Sequence, residues 1–259
     1  MATYNTTWIA TVPRTGSMWT ANVVRQIFLE SKFNVLPQQQ VPGDEDRIKL
    51  FQTKALNDTD PANRYVLKVH TLLNPGIPRS KLITNIRNPY DVCASFYQFM
   101  KCDIDIAIGV ALGLPKVINH YRQIDKDNLF VLRFEDIENE PSKVVSNLSN
   151  FLDVDLTQDQ VQYICEKFTK EKIKSRITEN DKSLSEKMVN KKGIKPTEIV
   201  ILGKNNYRSF DAETGFQTGH ISERNTGEWR LEFSDSDIEK IIHSIDDVAV
   251  SLGYASEKI

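Results

Sequence analysis

Short runs of β-branched and aromatic residues alternate along the chain with longer stretches in which apolar positions recur every three or four residues. That order is the one expected of a parallel sheet covered by helices. The short runs predict strands at 8–12, 65–70, 81–86 and 129–134. The longer stretches predict helices at 17–30, 89–101, 104–123, 141–152, 157–168 and 235–252, the last with Ser234 as its N-cap. One segment breaks the pattern: 170–195, KEKIKSRITENDKSLSEKMVNKKGIK, is polar and lysine-rich with little apolar periodicity. It reads as a solvated, mobile insert, or as a lid over an anionic site. No internal repeat is present, and 259 residues suit one α/β domain spanning 1–259.

Composition narrows the classes. A hydrophobic fraction of 40% with 26% charged residues is that of an ordinary globular chain. A net charge of -2 exerts no global pull on nucleic acid. Cys93, Cys102 and Cys165 form no CxxC pair and leave an odd cysteine, so neither a disulfide framework nor a zinc site is expected. With no apolar leader and no run of membrane-spanning length, the expectation is a cytoplasmic protein with no nucleic-acid or membrane partner and no metal.

Two stretches carry candidate chemistry. The first, TTWIATVPRTGSMWTANVVRQIF at 6–28, has the layout of a phosphate-binding loop without its usual lysine. Arg14 stands two positions before Gly16, and no hydroxyl is placed to hold magnesium. Backbone N–H groups of Gly16, Ser17, Met18 and Trp19 at a helix N-terminus make an anion nest with the positive end of the helix dipole behind it. A plain strand-to-helix turn, with Gly16 supplying a special dihedral and Ser17 capping the helix, accounts for the same residues.

The second is KLITNIRNPYDVCASFYQF at 81–99. Asn88, Pro89 and Asp91 are explained by helix initiation alone, as N-cap, first helical residue and first-turn acid. Arg87 and Ser95 are not, and the helical spacing between them allows both to reach one phosphate.

The pair resembles the signature of the sulfotransferases that use 3′-phosphoadenosine 5′-phosphosulfate (PAPS), a PKSGTxW-like loop after the first strand and RNPxDxxxS after a later one. The resemblance implies a three-layer P-loop-type α/β fold, with a central, mainly parallel sheet flanked by helices. It implies that Arg14, Thr15, Gly16, Ser17, Met18 and Trp19 hold the 5′-phosphosulfate, with Trp19 against the adenine, and that Arg87 and Ser95 hold the 3′-phosphate. Arg14 stands where cytosolic members carry lysine. KVHTLLNP at 68–75 is similar to the family's KTH segment and places Lys68 and His70 in catalytic roles. LRFEDIENEP at 132–141 resembles the YED strand end, with Phe134 in place of the tyrosine beside the adenine. NTGEWRLEF at 225–233 resembles the GDWK segment, but the preceding RKG triplet reads Ser222, Glu223, Arg224, so Arg224 alone stands in for it.

The implied reaction moves a sulfuryl group from PAPS to a hydroxyl or amine of a small-molecule acceptor. His70 acts as general base, Arg14 and Lys68 meet the charge on the transferred group, and no metal takes part. Lys68, two before His70, shares its face of the strand and is equally explained as a structural ion-pair partner. Glu135 and Asp136 point to opposite faces and are read as structural; His120, His220 and His243 are assigned nothing. The acceptor pocket is expected from 38–62, from the region after Met100 and from the lysine-rich stretch, and the protein is expected to be a monomer or a homodimer. A P-loop-type small-molecule or nucleotide kinase, or an inactive nucleotide-binding protein on the same fold, are the alternatives.

Overall fold

In the computed structural model, which describes residues 4–41, 43–190, 193, 194, 199–203 and 206–258, five parallel strands form the central sheet. They are β1 (Thr6–Ala10), β2 (Asn34–Leu36), β3 (Asn63–Val69), β4 (Ser80–Ile86) and β5 (Leu129–Arg133), in spatial order β2-β3-β1-β4-β5. β1 is buried along its whole length, as a central strand covered on both faces must be. Its side chains alternate with period two: Ile9 joins Val66 and Ile83 in one core, and Trp8 and Ala10 join Leu67, Val69 and Leu82 in the other.

Helix α1 (Ser17–Glu30) packs in the first core with α7 (Pro141–Phe151) and α8 (Gln158–Lys167). Helix α2 (Asp44–Thr53) contributes Phe51 to the second. A third cluster joins α3 (Pro89–Met100), α4 (Ile104–Ala111), α5 (Leu114–Tyr121) and α10 (Asp235–Ser251) around Trp229, whose ring stacks on Tyr90 at 4.8 Å. The result is the expected sheet with helices on both faces. Thr157 and Gln160 form a reciprocal capping box at the start of α8, a device that stabilises a helix by about 1 kcal/mol.

Topology gathers the loops that matter. β1 pairs in register with β3 (Ala10 opposite Val69) and with β4 (Ile9 opposite Ile83), and β4 pairs with β5 (Ile86 opposite Arg133). The carboxyl ends of β1, β3, β4 and β5 therefore lie along one edge. From β1 the chain crosses towards β2, whereas from β4 it crosses the other way to β5. The crevice between β1 and β4 is thus the switch point at which open α/β sheets bind ligands.

Several boundaries differ from the sequence expectation, each for a physical reason. The helix expected at 104–123 is two, α4 and α5, because Pro115 near the start of α5 lacks the N–H that would continue the ladder. β5 stops at Arg133, and Phe134 opens a short helix, α6 (Phe134–Asn139), so Phe134 is not a strand residue. Most of the aperiodic 170–195 stretch is α9 (Lys170–Val189), capped by Thr169 and anchored by buried Ile173 and Ile177, which are four residues apart and share a face. Residues 191, 192 and 195 of that stretch lie outside the described residues. The sequence reading also passed over β2, α2 and the antiparallel hairpin of β6 (Ile199–Gly203) and β7 (Asn206–Ser209). Among the described residues no helix is long and apolar enough to cross a membrane.

Candidate active site

The loop after β1 is stapled to β4 before it reaches α1. Thr11 Oγ1 donates to the Asn85 carbonyl at 2.7 Å, Thr15 Oγ1 donates to the Val12 carbonyl at 2.8 Å, and both hydroxyls are buried 3.0 Å apart. Asn85 in turn donates to Thr20 Oγ1 at 2.8 Å, so strand, loop and helix are fixed together. Within this frame Arg14 and Gly16 both take positive φ, 69° and 88°. Gly16 is the N-cap of α1, not Ser17, and among the described residues no side chain caps the first-turn amides. They remain donors for an anion. A Cβ on Gly16 would lie 2.7 Å from Phe134 Cδ2, so glycine is required by contact as well as by φ.

Arg14 is the hub. Its Nε donates to Ser95 Oγ at 3.0 Å, its Nη2 donates to the His220 carbonyl at 3.0 Å, and its guanidinium stacks on Phe99 at 4.3 Å. Arg87 Nη1 donates to the Arg14 carbonyl at 3.2 Å and its guanidinium lies over the Phe134 ring at 4.0 Å. Arg14, Arg87, Ser95 and Phe134 are thereby brought into one assembly across the switch point. Arg87, Ser95 and Arg224 line a single cleft with Asp91, Asn225 and Trp229. Among the described residues Arg87 Nε is buried with no hydrogen-bond partner, an orphan donor on a residue that lines the cleft. Arg224 is ion-paired with Glu232. Desolvation, then Arg87, then Arg208 lower the Arg14 pKa to about 9, so the group stays cationic at neutral pH.

Lys68 and His70 meet beside this assembly. Lys68 is buried, and its Nζ lies 2.9 Å from His70 Nε2. His70 Nδ1 lies 2.8 Å from the Thr11 carbonyl. A carbonyl only accepts, so Nδ1 carries the proton, and Nε2 is left as the acceptor of a Lys68 N–H. The unprotonated ring nitrogen therefore faces the lysine. Desolvation first, then Lys68, hold the His70 pKa well below its ordinary value, so the ring is neutral at pH 7. Desolvation and then Arg47 lower Lys68 to about 7, with Asp44 opposing.

The side chains of the other expected residues are engaged within the fold. Trp19 is buried in the core, its Nε1 donating to the Phe168 carbonyl at 3.2 Å, and is not brought to the cleft. Met18 packs against the same core and beside Gly215. Glu135 accepts from the Asn88 amide at 2.9 Å and the Tyr254 hydroxyl at 3.0 Å, a structural brace between α3 and the chain's end.

Two residues that sequence reasoning passed over belong to the site. Asp44, at the start of α2, accepts from the backbone of His70; a GDED helix start was visible in the sequence, but nothing pointed it at a strand end 26 positions later. His220 supplies the carbonyl that Arg14 binds, and its ring lies 5.1 Å from Phe99. Its Nδ1 accepts from the Gln217 amide at 3.2 Å, and desolvation and then Arg14 hold it well below its ordinary pKa. It is a neutral wall of the site. Among the described residues no three His, Cys, Asp or Glu are grouped so as to hold a metal ion.

Residues 5–107 and 114–200 match the sequence profile of the sulfotransferase domain. The chain is 23% identical over 194 residues to the amine sulfotransferase of Oryctolagus cuniculus, an alignment covering 64% of this chain and 62% of that protein. Its fold is similar to retinol dehydratase in complex with androsterone and inactive cofactor PAP (TM-score 0.58, 15% identity, 94% of this chain and 80% of that one). It is equally similar to mouse sulfotransferase SULT7A1 complexed with PAP (TM-score 0.58, 15% identity, 96% and 88%).

Proposed function

Since the chain belongs to the sulfotransferase domain family, we propose that it moves a sulfuryl group from PAPS to a hydroxyl or amine of a small-molecule acceptor. The observation that carries this reading is the Arg14 hub: one guanidinium bonded to Ser95, its own carbonyl held by Arg87, next to a neutral histidine that lies against a buried lysine. The site's residues fit the donor. The first-turn amides of α1 and the Gly16 cradle suit the 5′-phosphosulfate, while the orphan Nε of Arg87, Ser95 and Arg224 suit the 3′-phosphate. Phe134 packs on both Gly16 and Arg87, which supports reading it as the aromatic neighbour of the purine. The named ligands of the structural relatives, PAP in both and androsterone in one, support a nucleotide donor and a small acceptor here.

The chemistry asked of the protein is alignment and charge stabilisation. Arg14 and Lys68 meet the charge gathering on the sulfuryl oxygens, and His70 Nε2 takes the acceptor's proton once the acceptor displaces the Lys68 contact. Lys68, so released, turns its N–H groups to the sulfuryl oxygens. The test is transfer of label from [35S]PAPS to a panel of phenols, alcohols and amines, with and without magnesium. At least one class takes the label, equally well without the metal. Bound PAP with no label moved to any class would leave an inactive nucleotide-binding protein.

A further inference from the structure

We infer that Asp44 is a positioning residue for this reaction: its carboxylate locks the turn that carries His70 and lies beside Lys68, making α2 a working part of the site. The inference rests on the reading of His70 as the base. Sheet pairing fixes β3 only as far as Val69, opposite Ala10, with the Thr11 amide donating to the Val69 carbonyl at 3.2 Å. His70 is the first residue beyond the ladder, and its backbone needs another restraint.

Asp44 supplies it. One oxygen, Oδ2, accepts from His70 N at 2.7 Å, Thr71 N at 2.7 Å and Thr71 Oγ1 at 2.8 Å, while Oδ1 accepts from Arg47 Nη1 at 3.3 Å. Two successive amides converging on one oxygen form an anion nest, and the protein fills it with its own carboxylate through charge-assisted bonds. The backbone of His70 is then held by Asp44, and its ring by the Thr11 carbonyl and Lys68. All the restraints on the base are accounted for by named atoms.

The same carboxylate acts on charge. The groups facing Lys68 and His70 are Asp44 and Arg47 from α2, Arg14 from the loop after β1, His220 from the segment after β7, and each other. Asp44 is the carboxylate in that set; it favours the charged forms of both Lys68 and His70, against the two arginines. It therefore keeps Lys68 cationic where a sulfuryl group must be met.

The test separates geometry from charge with Asp44→Asn, which keeps an acceptor oxygen for the turn but loses the charge, and Asp44→Ala, which loses both. In [15N]histidine-labelled protein the His70 pair among the four pairs of ring signals is assigned with His70→Gln. Wild type and Asp44→Asn show His70 as the Nδ1–H tautomer, and Asp44→Ala shows a mixture. With an acceptor in hand, kcat falls about tenfold in Asp44→Asn and about a hundredfold in Asp44→Ala, the scale of a reacting group displaced by an ångström. The basic limb of the kcat/KM profile moves to lower pH in Asp44→Asn, and PAP affinity holds in both. An unchanged His70 tautomer in Asp44→Ala, with kcat intact and only the melting temperature lowered, would overturn the inference and leave Asp44 a fold residue. Should Asp44→Ala fail to fold, an unchanged limb and kcat in Asp44→Asn would overturn it equally. The ring signals need no acceptor, so this outcome is read separately from whether sulfuryl transfer occurs at all.

Discussion

His70→Ala lowers turnover about a thousandfold, within the range for loss of a positioned general base, and leaves PAP affinity within about twofold of wild type. The loss falls on kcat because the proposed role of His70 is to take the acceptor's proton and not to hold the nucleotide. Its sign with pH follows from the two shifted groups. Burial and the neighbouring Lys68 hold His70 well below its ordinary pKa, so it needs no deprotonation near neutrality and kcat/KM carries no ordinary histidine rise on its account. Lys68, lowered to about 7, must keep its proton, so kcat/KM of the free enzyme falls as pH rises through that value. In the proposed complex the donor places an anion beside Lys68 and raises its pKa, so the same limb in kcat is expected at higher pH. A profile that climbs through pH 6.5 with an ordinary histidine titration would contradict the assignment of His70 as a neutral, Nδ1–H base. So would intact turnover in His70→Ala.

Arg87→Ala weakens PAP binding about a hundredfold or more, as truncation of one partner in a desolvated charge pair does. Two roles fall together in this residue. Arg87 lines the cleft with its buried Nε unpartnered among the described residues, and its Nη1 holds the Arg14 carbonyl, so removing the side chain is expected to loosen the loop after β1 as well as the second candidate anion site. Arg87→Lys restores charge but not the planar fork or the stacking on Phe134, and recovers only part of the affinity. Ser95→Ala, which removes one neutral hydroxyl already shared with Arg14, costs about tenfold. Calorimetric titration of the three variants with PAP ranks them. Equal affinities across wild type and Arg87→Ala would remove the second anion site from the account.

What the sequence made legible, it made legible through local rules. Asn88 accepts from the Tyr90 amide and Pro89 opens α3, as their types and order required. The alternation of short apolar runs and periodic stretches sufficed to place β1, β3, β4 and β5 because parallel strands buried on both faces must read that way. The misses have a common cause in tertiary context. Helix α9 is anchored by only Ile173 and Ile177, too sparse an apolar stripe to announce a helix among so many lysines, and much of its grip is polar. Lys174 pairs with Glu223, and Arg176 pairs with Asp211 and Glu213. Those pairs hold down the segment from which His220 and Arg224 reach the site, a service invisible in the sequence. Trp19 was placed by motif, but α1 is buried on nearly every side, so the indole is in the core with its N–H tied to Phe168. Asp44 and His70 meet only because α2 folds back against β3, and no spacing rule connects a helix start to a strand end.

The central claim is that two anion sites on one crevice are built for a nucleotide bearing a 3′-phosphate and a 5′-phosphosulfate. Calorimetric titration with PAP, beside AMP, ADP and ATP and with and without magnesium, tests it most directly. The account predicts tight one-site binding of PAP that is indifferent to magnesium, with AMP far weaker for want of the 3′-phosphate. Binding of ATP that requires magnesium, with PAP no tighter than AMP, would contradict it.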